Sequence, residues 1–411
     1  MLELCLFDLD NTLVSTDDLK EAREASKNNE DPVHLAQLNA LIRTRPNRLI
    51  YECCFLQRLR TDFPQLKLGV FTRAPRSYAR ALLAWAYPGF DWDVIVAYED
   101  VSRTKPYGDG VRKAMNEVGL DDLGRVALIG DNDIDVKAAY NAGCLVAVDK
   151  RTWPFRILSE HWRAQDLVPD GIIENPQDVL DFIQDHRPFL PNLERLLENG
   201  MPQRGQRYVK VGYWAVGDDR RYPINIAGRS ISNHNSVQRR RVNHALSTSI
   251  EDNKESAQFP LPWLDAVRDF IEVTFNDISH PEGVIVTVVP HRPERQPRLE
   301  QLLNQLGAYL QVNPTEAAVT LAPDLLAYTI GVRSNHNEFL NRAQRFENVR
   351  DHLVVARPEL VSAGQAYLVI DDVVTTGASL ISAQNRLTEV GAHDVVLLGL
   401  GKNVGDLYTY A

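Results

Sequence analysis

The amino-acid sequence predicts two α/β domains, each doubly wound around a parallel β-sheet. Three observations carry that prediction. A length of 411 residues is long for a single core. Short apolar runs alternate with amphipathic segments in both halves. A polar, Pro-containing stretch, "RPFLPNLERLLENGMPQRGQR", separates the halves and reads as a linker.

In the first half, "LELCLFDL", "LKLGVFT", "DVIVAY", "RVALIG" and "CLVAVD" read as buried strands, because their apolar runs do not alternate with polar residues. The patterns "SYARALLAWAY", "DGVRKAMNEVGL" and "IDVKAAYNAG" between them are helical, and strands joined through helices pair in parallel. Residues 17–66 interrupt this rhythm with helical patterns alone, "PVHLAQLNALIRT" and "NRLIYECCFLQRLRTDF". That insertion is expected to form a small helical cap over the carboxyl ends of the strands, where open α/β sheets bind ligands. The expected boundaries are a first domain over 1–188, a linker over 189–206 and a second domain over 207–411.

The second half opens with "RYVKVGYWAVGDDRRYPINIAG", two β-rich runs around "GDD" that predict a hairpin. A helix follows in "LPWLDAVRDFIEVTF", with Leu264, Val267, Phe270, Ile271 and Phe275 on one face. The runs "GVIVTVVP", "AYLVIDD" and "DVVLLGLG" complete the predicted strands.

A net charge of −10 argues against general nucleic-acid or anionic-membrane binding. The basic triplet Arg239–Arg241 lacks interleaved aromatic residues and reads as a solvated loop. Cys5, Cys53, Cys54 and Cys144 have neither disulfide-framework nor zinc spacing, so reduced, buried thiols in a cytoplasmic protein are expected. No basic region precedes the first apolar run, and no apolar stretch approaches the about 20 residues that span a bilayer, so neither a signal peptide nor a membrane segment is expected.

Two acidic clusters carry the chemistry. Asp8 and Asp10 flank Leu9 at the end of the first strand, and alternate side chains share a face. Two carboxylates held together repel unless a divalent cation or a shared proton offsets them. Thr72, Lys105 and the loop carrying Asp131, Asp133 and Asp135 each follow a predicted strand, so all can converge on one sheet edge. In the second half, Asp371 and Asp372 end an apolar run, followed by the loop "VTTGAS" and a helix. A ligand with a cis-diol beside a phosphate uses both features, because carboxylates accept from hydroxyls while loop amides cradle the phosphate.

The first order of motifs resembles the haloacid dehalogenase superfamily of phosphotransferases, with "DLDNT", Thr72, Lys105 and "GDNDID" as its four motifs. That resemblance implies Asp8 as nucleophile, Asp10 as general acid/base, and Thr72 and Lys105 as phosphoryl-binding residues. It also implies Mg²⁺ held by Asp8, Asp131 and the Asp10 carbonyl, with Asp135 supporting the site. The second acid, Asp10, favours phosphatase over carbon–halogen chemistry, since the leaving alkoxide needs a proton.

"VIDDVVTTGAS" resembles the phosphoribosyl-diphosphate (PRPP) signature of type I phosphoribosyltransferases. The resemblance implies Asp371 and Asp372 at the ribose hydroxyls, with Thr375, Thr376, Gly377 and Ser379 around the 5-phosphate. "VTVVPHRPERQPR" supplies Pro290, His291, Arg292 and Arg295 as a candidate diphosphate loop, and Arg342, Arg345, Asn348 and Arg350 are spaced like the basic loop of the ComF family. The Cys-rich zinc module that often precedes that domain in the family has no counterpart.

Taken together, the two resemblances imply a bifunctional enzyme of nucleotide or ribosyl-phosphate metabolism. Its partners are expected to be a phosphorylated small molecule and PRPP. Two other readings stand beside it. In one, the second half senses PRPP or a nucleotide without catalysis and regulates the phosphatase. In the other, the phosphatase processes 3′-phosphate ends of nucleic acid, which the acidic charge disfavours.

Overall fold

The computed structural model describes residues 1–407 apart from 156–157, 202–204, 255, 257, 277–279, 294 and 334–339. They form two compact units. The first comprises Met1–Phe189, Ile231–Asn243 and the segment from Gly405 onward; the second comprises Leu190–Ser230 and His244–Val404.

The first unit is built on six strands: β1 (Leu4–Phe7), β2 (Lys67–Phe71), β3 (Val94–Val96), β4 (Val126–Gly130), β5 (Leu145–Asp149) and β6 (Gly171–Ile173). Their spatial order is β3-β2-β1-β4-β5-β6, and every pairing is parallel. Phe7 stands level with Val70 and Ile129, so the residues that follow β1, β2 and β4 leave the sheet at one edge. The strands are apolar because helices such as Arg76–Ala86, Asp109–Val118 and Asp133–Ala142 lie between them in sequence and cover the sheet.

Between β1 and β2 lie the helices Lys20–Ala25, Pro32–Ile42 and Cys53–Asp62. Leu38, Ile42, Leu56 and Leu59 join the core of this unit. The chain returns through Arg48, which is buried and grips Asp18 through two bonds of 2.6 and 2.7 Å. Cys5 and Cys144 are buried as expected, and burial pushes the Cys144 thiol up to about 12. Cys54 is exposed and Cys53 half-buried, because one face of their helix turns outward.

The Arg239–Arg241 triplet is not a solvated loop. It lies in the helix Gln238–Val242, inside the first unit. Arg240 pairs with the fully buried Asp170, which also accepts the Val146 amide at 2.8 Å. A buried carboxylate demands such a cation.

The second unit contains β7 (Val209–Trp214), β8 (Arg221–Ile226), β9 (Arg229–Ile231), β10 (Val284–Val288), β11 (Val319–Leu321), β12 (Leu326–Tyr328), β13 (Leu353–Val355), β14 (Ala366–Val374) and β15 (Asp394–Val404). The main sheet runs β11-β10-β14-β15-β8-β7, with β9 also on β15; β12 and β13 form a separate pair. The expectation of a parallel second sheet is corrected: the sheet is mixed. The β10, β11, β14, β15 and β8 pairings are parallel, but β7 joins β8 antiparallel. A short connection leaves no room for a crossover, so the predicted hairpin brings an antiparallel edge into the sheet. Residues 189–206 also contain more than a linker. The helix Asn192–Leu197 lies there, and its Leu193 is buried in the core of the second unit.

Candidate functional site

Asp8 leaves β1 with its carboxylate buried, and Lys105 Nζ lies 2.6 Å from Asp8 Oδ1 and 2.7 Å from Asp135 Oδ1. Asp8, Asp131 and Asp135 each offer a carboxylate oxygen, and these atoms lie within 4.8 Å of one another. The end of β4 achieves this with Gly130. A Cβ there would lie 2.2 Å from the Asp135 carboxyl carbon, so only glycine lets the carboxylate sit against the strand end. Asn132 caps the helix Asp133–Ala142, accepting the Ile134 amide at 2.9 Å, while Asp135 Oδ2 accepts the Asn132 amide at 3.3 Å.

Three buried carboxylates therefore face one ammonium. Burial pushes the Asp8 carboxyl up to about 7, with Lys105 opposing and Asp135 and Asp10 adding to the rise. Burial, then Asp135 and Asp8, hold Asp131 well above the usual carboxylate range. On Lys105 burial opposes the charge, but Asp135 and Asp8 outweigh it and keep the pKa above its ordinary value. One ammonium leaves three carboxylates short of positive charge, and the donors they offer are all oxygens. Such a set fits a hard divalent cation such as Mg²⁺.

Asp10 faces different partners. Thr16 Oγ1 donates to Asp10 Oδ1 at 2.6 Å, Tyr78 donates at 3.0 Å, and an Arg23 nitrogen lies 3.2 Å from Oδ2. Asn11, at φ +58°, turns the chain between the two roles, a left-handed conformation that Asn tolerates. Thr72 is buried at the end of β2, its hydroxyl accepting the Ala74 amide at 3.0 Å. Asp133 stands apart from the cluster, paired with Lys137 at 2.9 Å and Arg163 at 3.4 Å.

Several contacts escaped the sequence reading. Thr12 donates to Asp131 at 3.4 Å, Thr152 to the Asn11 carbonyl at 2.9 Å, and the Trp153 indole to the Asp131 carbonyl at 2.8 Å. Tyr78 was hidden within an apolar helix pattern, and Arg23 and Trp153 lie in stretches with no periodic signal.

In the second unit, Val288 of β10 pairs with Ile370 of β14, so the Pro290 loop leaves the sheet beside Asp371 and Asp372, which lie within β14 as it continues along β15. The two carboxylates have different surroundings. Asp371 lies within electrostatic reach of Arg292 and of Tyr328, which stands near Ser379. Burial, followed by the Asp372 charge, raises the Asp371 carboxyl well above its usual range. Burial also pushes the Tyr328 hydroxyl up to about 12. Asp372 instead pairs with Arg298, whose guanidinium lies 5.3 Å from the Phe259 ring and 5.9 Å from the Trp263 ring.

Gly377, at φ +75°, opens the helix Ala378–Glu389, and a Cβ there would lie 3.1 Å from Ile224 and Tyr213 of the hairpin. Thr375 is exposed, and the Thr376 hydroxyl accepts the Ala378 amide at 3.4 Å. His291 bonds Glu300 at 2.8 Å, Arg342 the Trp214 carbonyl at 2.5 Å, and Arg345 the Leu340 carbonyl at 2.8 Å. Arg350 pairs with Asp351 at 2.9 Å. Arg292 and Tyr328 thus act on Asp371 through their electrostatics, while His291, Arg342 and Arg345 have bonds elsewhere.

Residues 53–148 match the family of haloacid dehalogenase-like hydrolases. The chain is 28% identical over 212 residues to the pyrophosphatase PpaX of Halalkalibacterium halodurans, which covers 43% of this chain and 95% of that protein. It is 26% identical over 119 residues to PpaX of Bacillus cereus, covering 29% of this chain and 52% of that one. Among solved structures, a HAD-superfamily hydrolase of subfamily IA from Geobacter sulfurreducens matches at a TM-score of 0.32 and 16% identity, covering 44% of this chain and 100% of that one.

Proposed function

We propose, from the premise that the first unit is a haloacid dehalogenase-type hydrolase domain, that it is a Mg²⁺-dependent phosphatase working through a phosphorylated Asp8. The observation that carries this reading is Lys105 lodged between Asp8 and Asp135, with Asp131 in the same cluster. The ammonium offsets the Asp8 charge, so an anion can approach an anionic phosphoryl group. An Asp8 oxygen bonds to phosphorus as the bond to the leaving oxygen breaks, and Asp10 gives that oxygen its proton. Asp10 then takes a proton from water, which attacks phosphorus and releases phosphate and Asp8. Thr72 and Lys105 bind the phosphoryl oxygens. Asp8, Asp131, Asp135 and the Asp10 carbonyl would hold Mg²⁺, which when bound neutralises charge on the phosphoryl group.

For the second unit the proposal is a PRPP-using phosphoribosyltransferase. Asp371, Ser379 and Arg292 around Tyr328, beside a helix opened by Gly377, support it. Phosphoribosyl transfer from PRPP releases diphosphate, and the similarity to a pyrophosphatase supports diphosphate as one substrate of the first unit. Hydrolysis of that product would pull the transfer forward.

A phosphate-release screen tests both parts, run across diphosphate, sugar phosphates, nucleoside monophosphates and 3′-phosphorylated oligonucleotides, with and without PRPP. Mg²⁺-dependent turnover that survives Asp8→Asn sinks the phosphatase assignment. Saturable PRPP binding without diphosphate release from any acceptor favours a sensor in the second unit.

A further inference from the structure

We propose that Trp153 is a positioning residue for the metal-binding loop, acting through the backbone of Asp131; this rests on the phosphatase reading of the first unit. Trp153 follows β5, outside the four motif-bearing loops. Its indole N–H donates to the Asp131 carbonyl at 2.8 Å, and its neighbour Thr152 donates to the Asn11 carbonyl at 2.9 Å. One short segment therefore holds both acidic loops of the site by their backbones.

That segment is itself fixed. The Trp153 ring stacks on His161 with centroids 4.8 Å apart and planes at 27°. Asp149 is buried, accepts the Tyr51 hydroxyl at 2.6 Å and pairs with Arg151 at 2.7 Å. Arg151 in turn lies 3.9 Å over the Tyr51 ring. Tyr51 lies within the inserted helical region, just before its helix Cys53–Asp62, so the anchor reaches that region.

The indole bond has a specific consequence. The peptide between Asp131 and Asn132 links a cluster carboxylate to the cap of the helix Asp133–Ala142. Its carbonyl is held by Trp153, and its amide by Asp135. Losing the indole donor frees this peptide to rotate and carries the Asp131 carboxylate with it. Removing an outer partner of a metal ligand lowers metal affinity about 10–100-fold. A backbone contact one bond path away from the donor atom belongs at the lower end, so about tenfold weaker binding is expected.

Mn²⁺ titration of the full chain, followed by electron paramagnetic resonance, tests this. Trp153→Phe keeps a ring against His161 and loses the N–H. Benzothienylalanine at position 153 preserves the indole shape and also lacks the donor, which guards against a folding defect. Both should raise the Mn²⁺ dissociation constant about tenfold. His161→Ala removes the stack and keeps the N–H, so it should lower the Tm with Mn²⁺ affinity unchanged. The proposal is overturned if both donor-less variants bind Mn²⁺ like the parent protein. It is equally overturned if His161→Ala weakens binding as much as they do. Absence of Mn²⁺ binding by the parent protein, matched by Asp8→Asn, overturns the phosphatase reading instead, and this proposal with it.

Discussion

The two acidic pairs of this molecule differ by one residue of spacing. Asp8 and Asp10 are separated by Leu9, whereas Asp371 and Asp372 are adjacent. They also differ in how their charge is met. In the first unit Lys105 serves both Asp8 and Asp135, with Asp131 close by. In the second, Arg298 holds Asp372 and Arg292 acts on Asp371. Cations within reach, more than the number of carboxylates, decide whether a site calls for a metal. The first cluster, three carboxylates around one ammonium, fits a further cation, while in the second each carboxylate has an arginine acting on it.

The largest expected effect breaks this comparison most directly. Asp8→Asn should reduce Mg²⁺-dependent phosphate release by about 10⁴-fold or more, as loss of a covalent nucleophile does. Asp371→Asn should leave that release unchanged and weaken PRPP binding measured by calorimetry. Equal loss of phosphatase turnover in both variants would show that the two clusters do not act independently.

The next two predictions set one Arg–carboxylate pair against another. Asp170 has 0% of its side chain exposed beside Arg240, and Asp372 has 25% exposed beside Arg298. Arg240→Ala removes the paired cation from a fully buried carboxylate and should cost ~3–5 kcal/mol in urea unfolding. Arg298→Ala leaves a carboxylate that water can reach and should cost only about 2 kcal/mol. Equal losses would mean that burial does not separate the two pairs as argued.

These pairs also mark where sequence reading stops. The strands and the loops bearing Asp8, Thr72 and Asp131 were legible because each is a local pattern, an apolar run ended by a polar residue, and Lys105 was legible in the polar loop between a strand and a helix. The hairpin β7–β8 was equally legible, but its union with a parallel sheet was not, since pairing of β8 with β15 joins residues far apart in the chain. The same holds for Arg240 against Asp170 and for Trp153 against Asp131. Arg23 and Tyr78 at Asp10 come from the inserted helical region and the helix after β2, and no periodicity encodes that meeting. The divergence of Asp371 and Asp372 was in principle readable, because adjacent residues on a strand point to opposite faces.

The remaining contrast concerns acid, and here the two units should respond over different pH ranges. In the first unit burial pushes the half-buried His186 imidazole down to about 4, with Arg240 assisting and Asp170 and Asp185 opposing. An unfolded histidine takes its proton near pH 6.5. The unfolded state therefore binds the extra proton first, and this stability is lost as pH falls from about 6.5 towards about 4. In the second unit burial opposes the charge on Glu194, but Arg229 and His244 outweigh it and hold the carboxyl far below its usual range. That stability is present above about pH 4.5 and is lost only as pH falls below it. Asp8 and Asp131 act with the opposite sign to His186, because the folded state keeps their protons longer. The quantity to follow is therefore the stability difference between the parent protein and His186→Asn, measured by urea unfolding at successive pH values. It should change by about 2 kcal/mol between pH 6.5 and 4.5, while Glu194→Gln against the parent should show no comparable slope in that window. A flat His186 difference would mean that the imidazole charges freely in the folded unit, and the contrast between the two units in acid would be lost.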